Sequence, residues 1–405
     1  MCQNIKYLCF ITGLYPTDDD PVYTFVDTLI QELVNIDIHC TVIAPQNITQ
    51  GFIKKKRRRK RVITRYTNCG KQFTIYCPPY TSYSNKTVLG FNTHRLTQAS
   101  FERAIINEFK QRKIKADVLY AQFFMPCGIA AVKLGKMLNM PVFVANGEYN
   151  LNSIQSFNSK LLETLLEQII GIISVSEENK RQLLVSGYDV KMLADKIDVI
   201  KNAVDRTVFY PIDKQKARLA LGLPQDNFIV AFTGSFIERK GVSILAEVID
   251  QLENVFAIFI GQGPLEPKCR NILFKGTLPN KLVNQYLSAA DIFVLPTLAE
   301  GCSNAIIEAI ACGLPVVSSA LPFNDEILDE NCSLRVNPKS HSEIKGAITL
   351  LYKDELLRKK LAQGALEKSR STDISVRAKA VMSFMNSKYR LFLQANAKAE
   401  STKIN

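Results

Sequence analysis

Ile292-Phe293-Val294-Leu295-Pro296-Thr297-Leu298-Ala299-Glu300-Gly301-Cys302-Ser303-Asn304-Ala305-Ile306-Ile307-Glu308 runs from a short apolar segment through a loop into residues with helical spacing. The apolar segment is too short for a helix and reads as a buried strand. Ser303 and Asn304 suit the N-cap of the helix that follows, and Gly301 lets the backbone come close to a ligand. A second apolar run, Pro315 to Ser318, comes after the helix. Strand, helix, strand in this order is the unit from which parallel sheets are built.

Working outward, the same rhythm covers most of the chain. Strands are expected at Phe228 to Thr233 and Val255 to Ile260, with helices at Val242 to Leu252, Asn280 to Ala289 and Asn304 to Ala311. In the first half, strands are expected at Ile5 to Thr12, Ile38 to Ala44, Val118 to Ala121, Pro141 to Ala145, Ile169 to Ser174 and Ile197 to Ile200. Helical patterns at Val22 to Val34, Leu96 to Gln111 and Gly128 to Leu138 separate them. Pro211 and Leu223-Pro224-Gln225-Asp226 carry turn chemistry, and after about Ser340 the pattern is helical only. The expected fold class is α/β: two doubly wound domains, 1–205 and 206–374, facing across a cleft. Ligands of such sheets bind beyond the carboxyl ends of the strands, and two facing walls suit a two-substrate reaction.

Composition narrows the function classes. With 405 residues, 47% hydrophobic and 22% charged, the chain is globular and long enough for more than one core. No apolar run reaches the roughly 18 residues that cross a bilayer, and the first is broken by Gly13 and Pro16, unlike a secretory signal. A cytoplasmic location is expected, with peripheral contact on the inner face of the membrane as an option. Ten cysteines without close pairing read as small buried hydrophobes, and three histidines make a histidine-rich metal centre improbable. No metal and no resident cofactor are expected. Of the net charge of +13, eight positive charges lie in the run Lys54, Lys55, Lys56, Arg57, Arg58, Arg59, Lys60 and Arg61. That run must be solvated, and three readings stay open: a loop with no partner, contact with an anionic membrane or pyrophosphate-lipid, and nucleic acid, the last without any accompanying recognition module.

Two stretches could carry chemistry. The free N–H groups at the start of the helix near Ser303 or Asn304 form an anion site, and Glu300 and Glu308 can face one ligand from different heights. Paired carboxylates accept hydrogen bonds from sugar or ribose hydroxyls. Phe232-Thr233-Gly234-Ser235 followed by Glu238-Arg239-Lys240-Gly241 places two cations on a Gly-bearing turn after a strand. Such a pair can stabilise charge developing on a diphosphate leaving group. Gly261-Gln262-Gly263-Pro264 is a weaker sign and marks a tight turn.

Taken together with Val199 to Asp205, Ala290 to Thr297 and Ala311 to Val317, these motifs resemble the retaining family-four glycosyltransferases (glycosyl transferases group 1) of the GT-B fold. The resemblance covers nearly the whole chain. It implies a metal-independent hexosyltransferase that moves a sugar from a nucleoside-diphosphate sugar to a glycan or lipid-linked acceptor in cell-surface polysaccharide synthesis. Arg239 and Lys240 would hold the donor pyrophosphate, Glu308 the ribose hydroxyls, and Glu300 with the amides of Gly301, Cys302, Ser303 and Asn304 the transferred sugar. Gly234 would lie on the donor turn and Gly13 against donor and acceptor, and the last helix, about 375–395, would return to the first domain. The chain departs from many relatives where they carry histidines: it has Tyr120-Ala121-Gln122-Phe123 and Asn146-Gly147-Glu148. Gln122, Asn146 and Glu148 are therefore the expected sugar or acceptor contacts. The alternatives are a non-catalytic nucleotide-sugar binder or scaffold of the same fold, another enzyme on the architecture such as a phosphorylase or epimerase, and a nucleic-acid binder, which is not expected.

Overall fold

Short runs of β-branched and aromatic residues, punctuated by Gly and polar turns, form the strands of two large sheets and two two-stranded ones in a computed structural model. It describes residues 4–17, 22–49, 59–83, 87–88, 91–148, 159–185 and 193–404. The chain divides into two units, one made of Met1–Ile200 with Ala378–Asn405 and the other of Lys201–Arg377.

In the first unit the strands of the main sheet are β1 (Tyr7–Ile11), β2 (His39–Ile43), β3 (Val62–Tyr66), β4 (Gln72–Tyr76), β5 (Val118–Gln122), β6 (Val142–Asn146), β7 (Ile169–Ser174) and β8 (Ile197–Val199). They lie side by side in the order β8-β7-β6-β5-β1-β2-β4-β3. All neighbours are parallel except β3 and β4, which are antiparallel. The central strands β5 and β6 are buried along their whole length, as parallel strands covered on both faces must be. Cys9, Ile11, Leu119, Ala121, Val142 and Val144 pack there against Phe101 and Ile105 of the His94–Gln111 helix and Leu134 of the Ile129–Leu138 helix.

The second unit contains β9 (Phe228–Thr233), β10 (Val255–Ile260), β11 (Ile272–Gly276), β12 (Ile292–Leu295), β13 (Val316–Ser319) and β14 (Ser333–Val336). Their order is β11-β10-β9-β12-β13-β14, all parallel. This is the doubly wound Rossmann arrangement. Winding starts at β9, moves outward to β11, then restarts at β12 on the other side of β9. The loops leaving β9 and β12 therefore diverge and open a crevice. In the first unit the same reversal falls between β1 and β5. Each sheet thus has one switch point, and both lie at carboxyl ends of strands.

The structure departs from the sequence expectation in several places. The division falls at 200/201 rather than near 205, because the intervening residues bond to the second unit: Asn202 Nδ2 donates to the Cys302 carbonyl at 3.1 Å and Val204 N to the Thr372 carbonyl at 2.9 Å. The first sheet is not wholly parallel. A hairpin turning at Thr67–Gly70, where Gly70 N donates to the Thr67 carbonyl at 2.9 Å, adds β3 at its edge. Residues Ala378–Asn405, most of the helix Ile374–Ile404, belong to the first unit. There Phe384 meets Phe143 edge-on at 6.3 Å, and Asn386 Oδ1 accepts from Ile5 N at 2.9 Å. Among the described residues no helix is long and apolar enough to cross a membrane.

One charged cluster fixes the start of the second sheet. Arg218, 2% exposed, donates from Nη2 to Asp291 Oδ2 at 2.8 Å and from Nε to the Ala289 carbonyl at 2.9 Å. Asp291 also accepts from Ile229 N at 2.7 Å and from Lys214 Nζ at 2.6 Å. One carboxylate thereby ties β9 to the residue before β12. Removing it would leave the Arg218 guanidinium buried without its charge partner, a change that costs roughly 3–5 kcal/mol. Asp291→Ala is expected to destabilise the chain by about that amount, read as a lower urea midpoint with an unchanged slope.

Candidate functional site

The switch point of the second unit is where the two chemistry-bearing stretches meet. After β9 the chain turns at Gly234 and forms a single 3-10 turn, Glu238–Lys240, ending at Gly241 with φ 70°. A Cβ on Gly241 would lie 2.2 Å from the Pro296 carbonyl oxygen, so only glycine lets this turn touch the loop leaving β12. The loop clamps the turn in return: Leu298 N donates to the Arg239 carbonyl at 2.7 Å.

On this scaffold Glu300 gathers the cations. Its carboxylate accepts from Lys240 Nζ at 2.5 Å and lies 3.6 Å from Arg239 Nη1. Thr297, fully buried, brings its hydroxyl to 2.9 Å from Glu300 Oε1. Arg239 also donates to the Ala299 carbonyl. The position a Cβ on Gly234 would take is 3.7 Å from Lys240 Cδ, so the lysine stem runs past that turn. Gly234, Arg239, Lys240 and Glu300 therefore form one cluster.

The helix Asn304–Ala311 starts directly after it. Ser303 is at its N-cap, yet the Ser303 side chain caps nothing. The caps Ser176, Asp213, Ser340 and Asp354 elsewhere all accept a backbone N–H. Ser303 Oγ, Asn304 Oδ1 and Thr233 Oγ1 are buried with no hydrogen-bond partner, on the segments that leave β9 and β12. A polar ligand would supply the bonds they lack. Gly301 and Cys302 are buried, and the Asn202 amide holds the Cys302 carbonyl. Glu308 sits farther along the helix, outside the ion cluster. Burial, with no lysine or arginine offsetting it among the described residues, pushes its carboxyl up to about 8.

The remaining expected contacts lie in the first unit. Gly13 follows β1 and Gln122 ends β5, so both border the switch point there; Gln122 is buried. Asn146 is wholly buried: its Nδ2 donates to Ser174 Oγ at 3.2 Å and to the Asn179 carbonyl at 3.1 Å, while its Oδ1 has no hydrogen-bond partner. Glu148 is partly exposed, and burial pushes its carboxyl up to about 7. Of the basic run, Lys54 to Arg58 lie outside the described residues. Arg61 pairs with Glu108 of the Phe101-bearing helix at 3.0 Å, with its side chain still 57% exposed. Among the described residues no group of acidic, His or Cys side chains has the makings of a metal site.

Residues 227–354 match the family model described as glycosyl transferases group 1. The chain is 26% identical over 375 residues to TuaC of Bacillus subtilis, a glycosyltransferase assigned to teichuronic acid biosynthesis, covering 89% of this chain and 92% of TuaC. Among solved structures it is similar to sucrose-phosphate synthase from Thermosynechococcus elongatus, with TM-score 0.73 and 17% identity over 96% of this chain and 100% of that one. Anabaena HepE, solved with UDP and glucose, matches with TM-score 0.69 and 16% identity over 94% of this chain and 100% of HepE. The fold is GT-B.

Glu308 also sets an expectation for stability. A carboxyl raised by folding keeps its proton where the unfolded chain has lost it, so stability falls as pH rises from about 4.5 to about 8 and levels off above. Glu308→Gln is expected to flatten this part of the curve of melting temperature against pH.

Proposed function

Taking the chain as a group 1 glycosyltransferase of the GT-B fold, we propose that it transfers a sugar from a nucleoside-diphosphate donor to a glycan or lipid-linked acceptor with retention at the anomeric carbon. In the step, the acceptor hydroxyl oxygen bonds to the anomeric carbon as the bond from that carbon to the phosphate oxygen breaks. The departing diphosphate takes the hydroxyl proton on the same face. Charge develops on the diphosphate, and Arg239 and Lys240 stabilise it there. The free N–H groups of the Asn304–Ala311 helix add to this, since a helix N-terminus favours an anion.

The observation that carries this reading is the pairing of Glu300 with Lys240 and Arg239 beside an uncapped helix start. An incoming diphosphate competes for the same two cations. Once it takes them, the Glu300 carboxylate is released to accept hydrogen bonds from hydroxyls of the transferred sugar. Glu308 would hold the ribose hydroxyls. The UDP in HepE makes UDP-sugars the first donors to test, and the likeness to TuaC supports a role in cell-surface polysaccharide synthesis.

Lys240→Ala should lower kcat/KM for the donor by about 10²–10³-fold, the usual loss for one such charge-stabilising donor. It should also abolish the rise in melting temperature that UDP-glucose gives the unmodified chain. Lys240→Met with Glu300→Gln, which removes both charges of the pair, separates loss of donor binding from a buried carboxylate left alone. Unchanged turnover in both variants would remove the donor assignment. The proton coupling of the product's anomeric carbon reports retention directly.

The acceptor is proposed to lie at an anionic membrane surface, which the basic run 54–61 would contact at about 1 kcal/mol per residue. Neutralising those eight residues should weaken sedimentation with phosphatidylglycerol vesicles at low salt, with little difference left at high salt.

A further inference from the structure

The first unit has its own unpartnered carboxylate after β6, the strand next to its switch point. Glu148 follows β6 by two residues, and its Oε2 is buried with no hydrogen-bond partner. The segment that carries it is tied down by hydrogen bonds. Asn179 Nδ2 donates to the Glu148 carbonyl at 2.5 Å, while the Asn179 carbonyl accepts from the Asn146 amide at 3.1 Å. Beside it, a Cβ on Gly147 would lie 3.3 Å from the ring of Phe123.

Phe123 leaves β5 with φ 71° and ψ 159°, a conformation that costs a non-glycine residue about 1–3 kcal/mol and persists where the surroundings enforce it. Its ring meets Tyr23 edge-on at 5.6 Å. The negative charge of Glu148 acts on both Tyr23 and Cys127, and Cys127 lies against Gly13. Tyr23 and Cys127 thus share the field of one carboxylate, with Phe123 against Tyr23 and Gly13 against Cys127.

The charge balance of this group is opposite to that of the second unit. Among the described residues, no lysine or arginine acts on Glu148, Tyr23 or Cys127. A phosphate would be repelled there. A neutral ligand rich in hydroxyls would satisfy Oε2 and pack on the rings of Tyr23 and Phe123.

Resting on the glycosyl-transfer reading above, we propose that Glu148 binds a hydroxyl of the neutral sugar unit of the acceptor and so selects it, with Tyr23 and Phe123 as the apolar floor. Only the ionised carboxylate is a pure acceptor. Its carboxyl is raised to about 7, whereas Tyr23 is pushed up to about 12 and the Cys127 thiol is also raised by burial. Between pH 6 and 8, Glu148 is therefore the group of the three that changes charge, and acceptor affinity rises with pH.

The test uses the full chain, octyl β-glucoside and octyl β-N-acetylglucosaminide below their micelle concentrations, and UDP-glucose. Ligand-observed NMR without donor reads glycoside binding, and UDP release reads transfer. Glu148→Gln keeps the shape of the side chain and removes a charge that burial disfavours, so it should fold. It should weaken glycoside binding at pH 8 at least tenfold and raise the glycoside KM by a similar factor. UDP-glucose affinity should stay unchanged, and the pH dependence of KM between 6 and 8 should disappear. Glu148→Asp should recover part of the affinity.

Equal glycoside binding in the unmodified chain and Glu148→Gln, or an unmodified chain that binds no glycoside, would overturn the inference. A parallel loss of UDP-glucose affinity in Glu148→Gln would overturn it too, because it would place the residue in donor binding. Failure of the unmodified chain to bind UDP-glucose, with glycoside binding intact and dependent on Glu148, would instead overturn the donor reading alone.

Discussion

A single carboxylate holding two cations is the constraint on which the rest of the second unit depends. Lys240 and Arg239 are adjacent in sequence, and their side chains are only 14% and 27% exposed. Two such charges would repel each other and lose much of their hydration. Glu300 offsets both, and the buried hydroxyl of Thr297 fixes the direction of its carboxylate. Because Glu300 comes from the loop after β12 and the cations from the turn after β9, the pair also joins the two walls of the crevice. The polar contacts are therefore formed before any ligand arrives, and an anion meets oriented partners rather than flexible side chains.

The two sheets solve the same winding problem and finish it with opposite chemistry. Both reverse direction once, and both place Gly-bearing turns at the ends of the strands flanking the reversal, at Gly13 and at Gly234. In the second unit the crevice ends on cations, backbone N–H groups and an uncapped serine. In the first it ends on aromatic rings, a thiol and a carboxylate. Topology fixes where each crevice lies. The side chains then decide whether it suits an anion or an uncharged polyol.

Much of this was legible in the sequence because buried parallel strands announce themselves as unbroken apolar runs. Phe228–Thr233, Val255–Ile260, Ile292–Leu295 and Ile169–Ser174 have the limits that their composition marks out. Three of the strands not marked out by the sequence lie at sheet edges, and a fourth, Gln72–Tyr76, lies inside its sheet but alternates in burial. Val62–Tyr66 and Ile272–Gly276 are only half covered, and Ser333–Val336 carries Arg335, so none forms a clean apolar run. The Arg-Lys turn and Glu300 could be read from their order along the chain. Thr297 and Asn202 could not be assigned their positioning roles, since the contacts of Thr297 with Glu300 and the Arg239 carbonyl and of Asn202 with the Cys302 carbonyl exist only in the folded unit. Asn146 marks the same limit: its place at a strand end is legible, but not that Nδ2 is bonded within the unit while Oδ1 is left without a partner.

The last helix has a consequence for how the molecule comes into being. Residues 378–405 supply Phe384, Met385 and Asn386 to the first unit, and Met385 is completely enclosed. On the ribosome, therefore, the unit whose sheet is made ahead of the other cannot complete its interior until the segment carrying Phe384 and Met385 emerges. The later-made unit, continuous from Lys201 to Arg377, can close before it. A nascent first unit must wait with Phe143 and Gly171 uncovered by the aromatic ring that will later pack on them, and its exposure to chaperones should track the synthesis of the segment that carries Phe384.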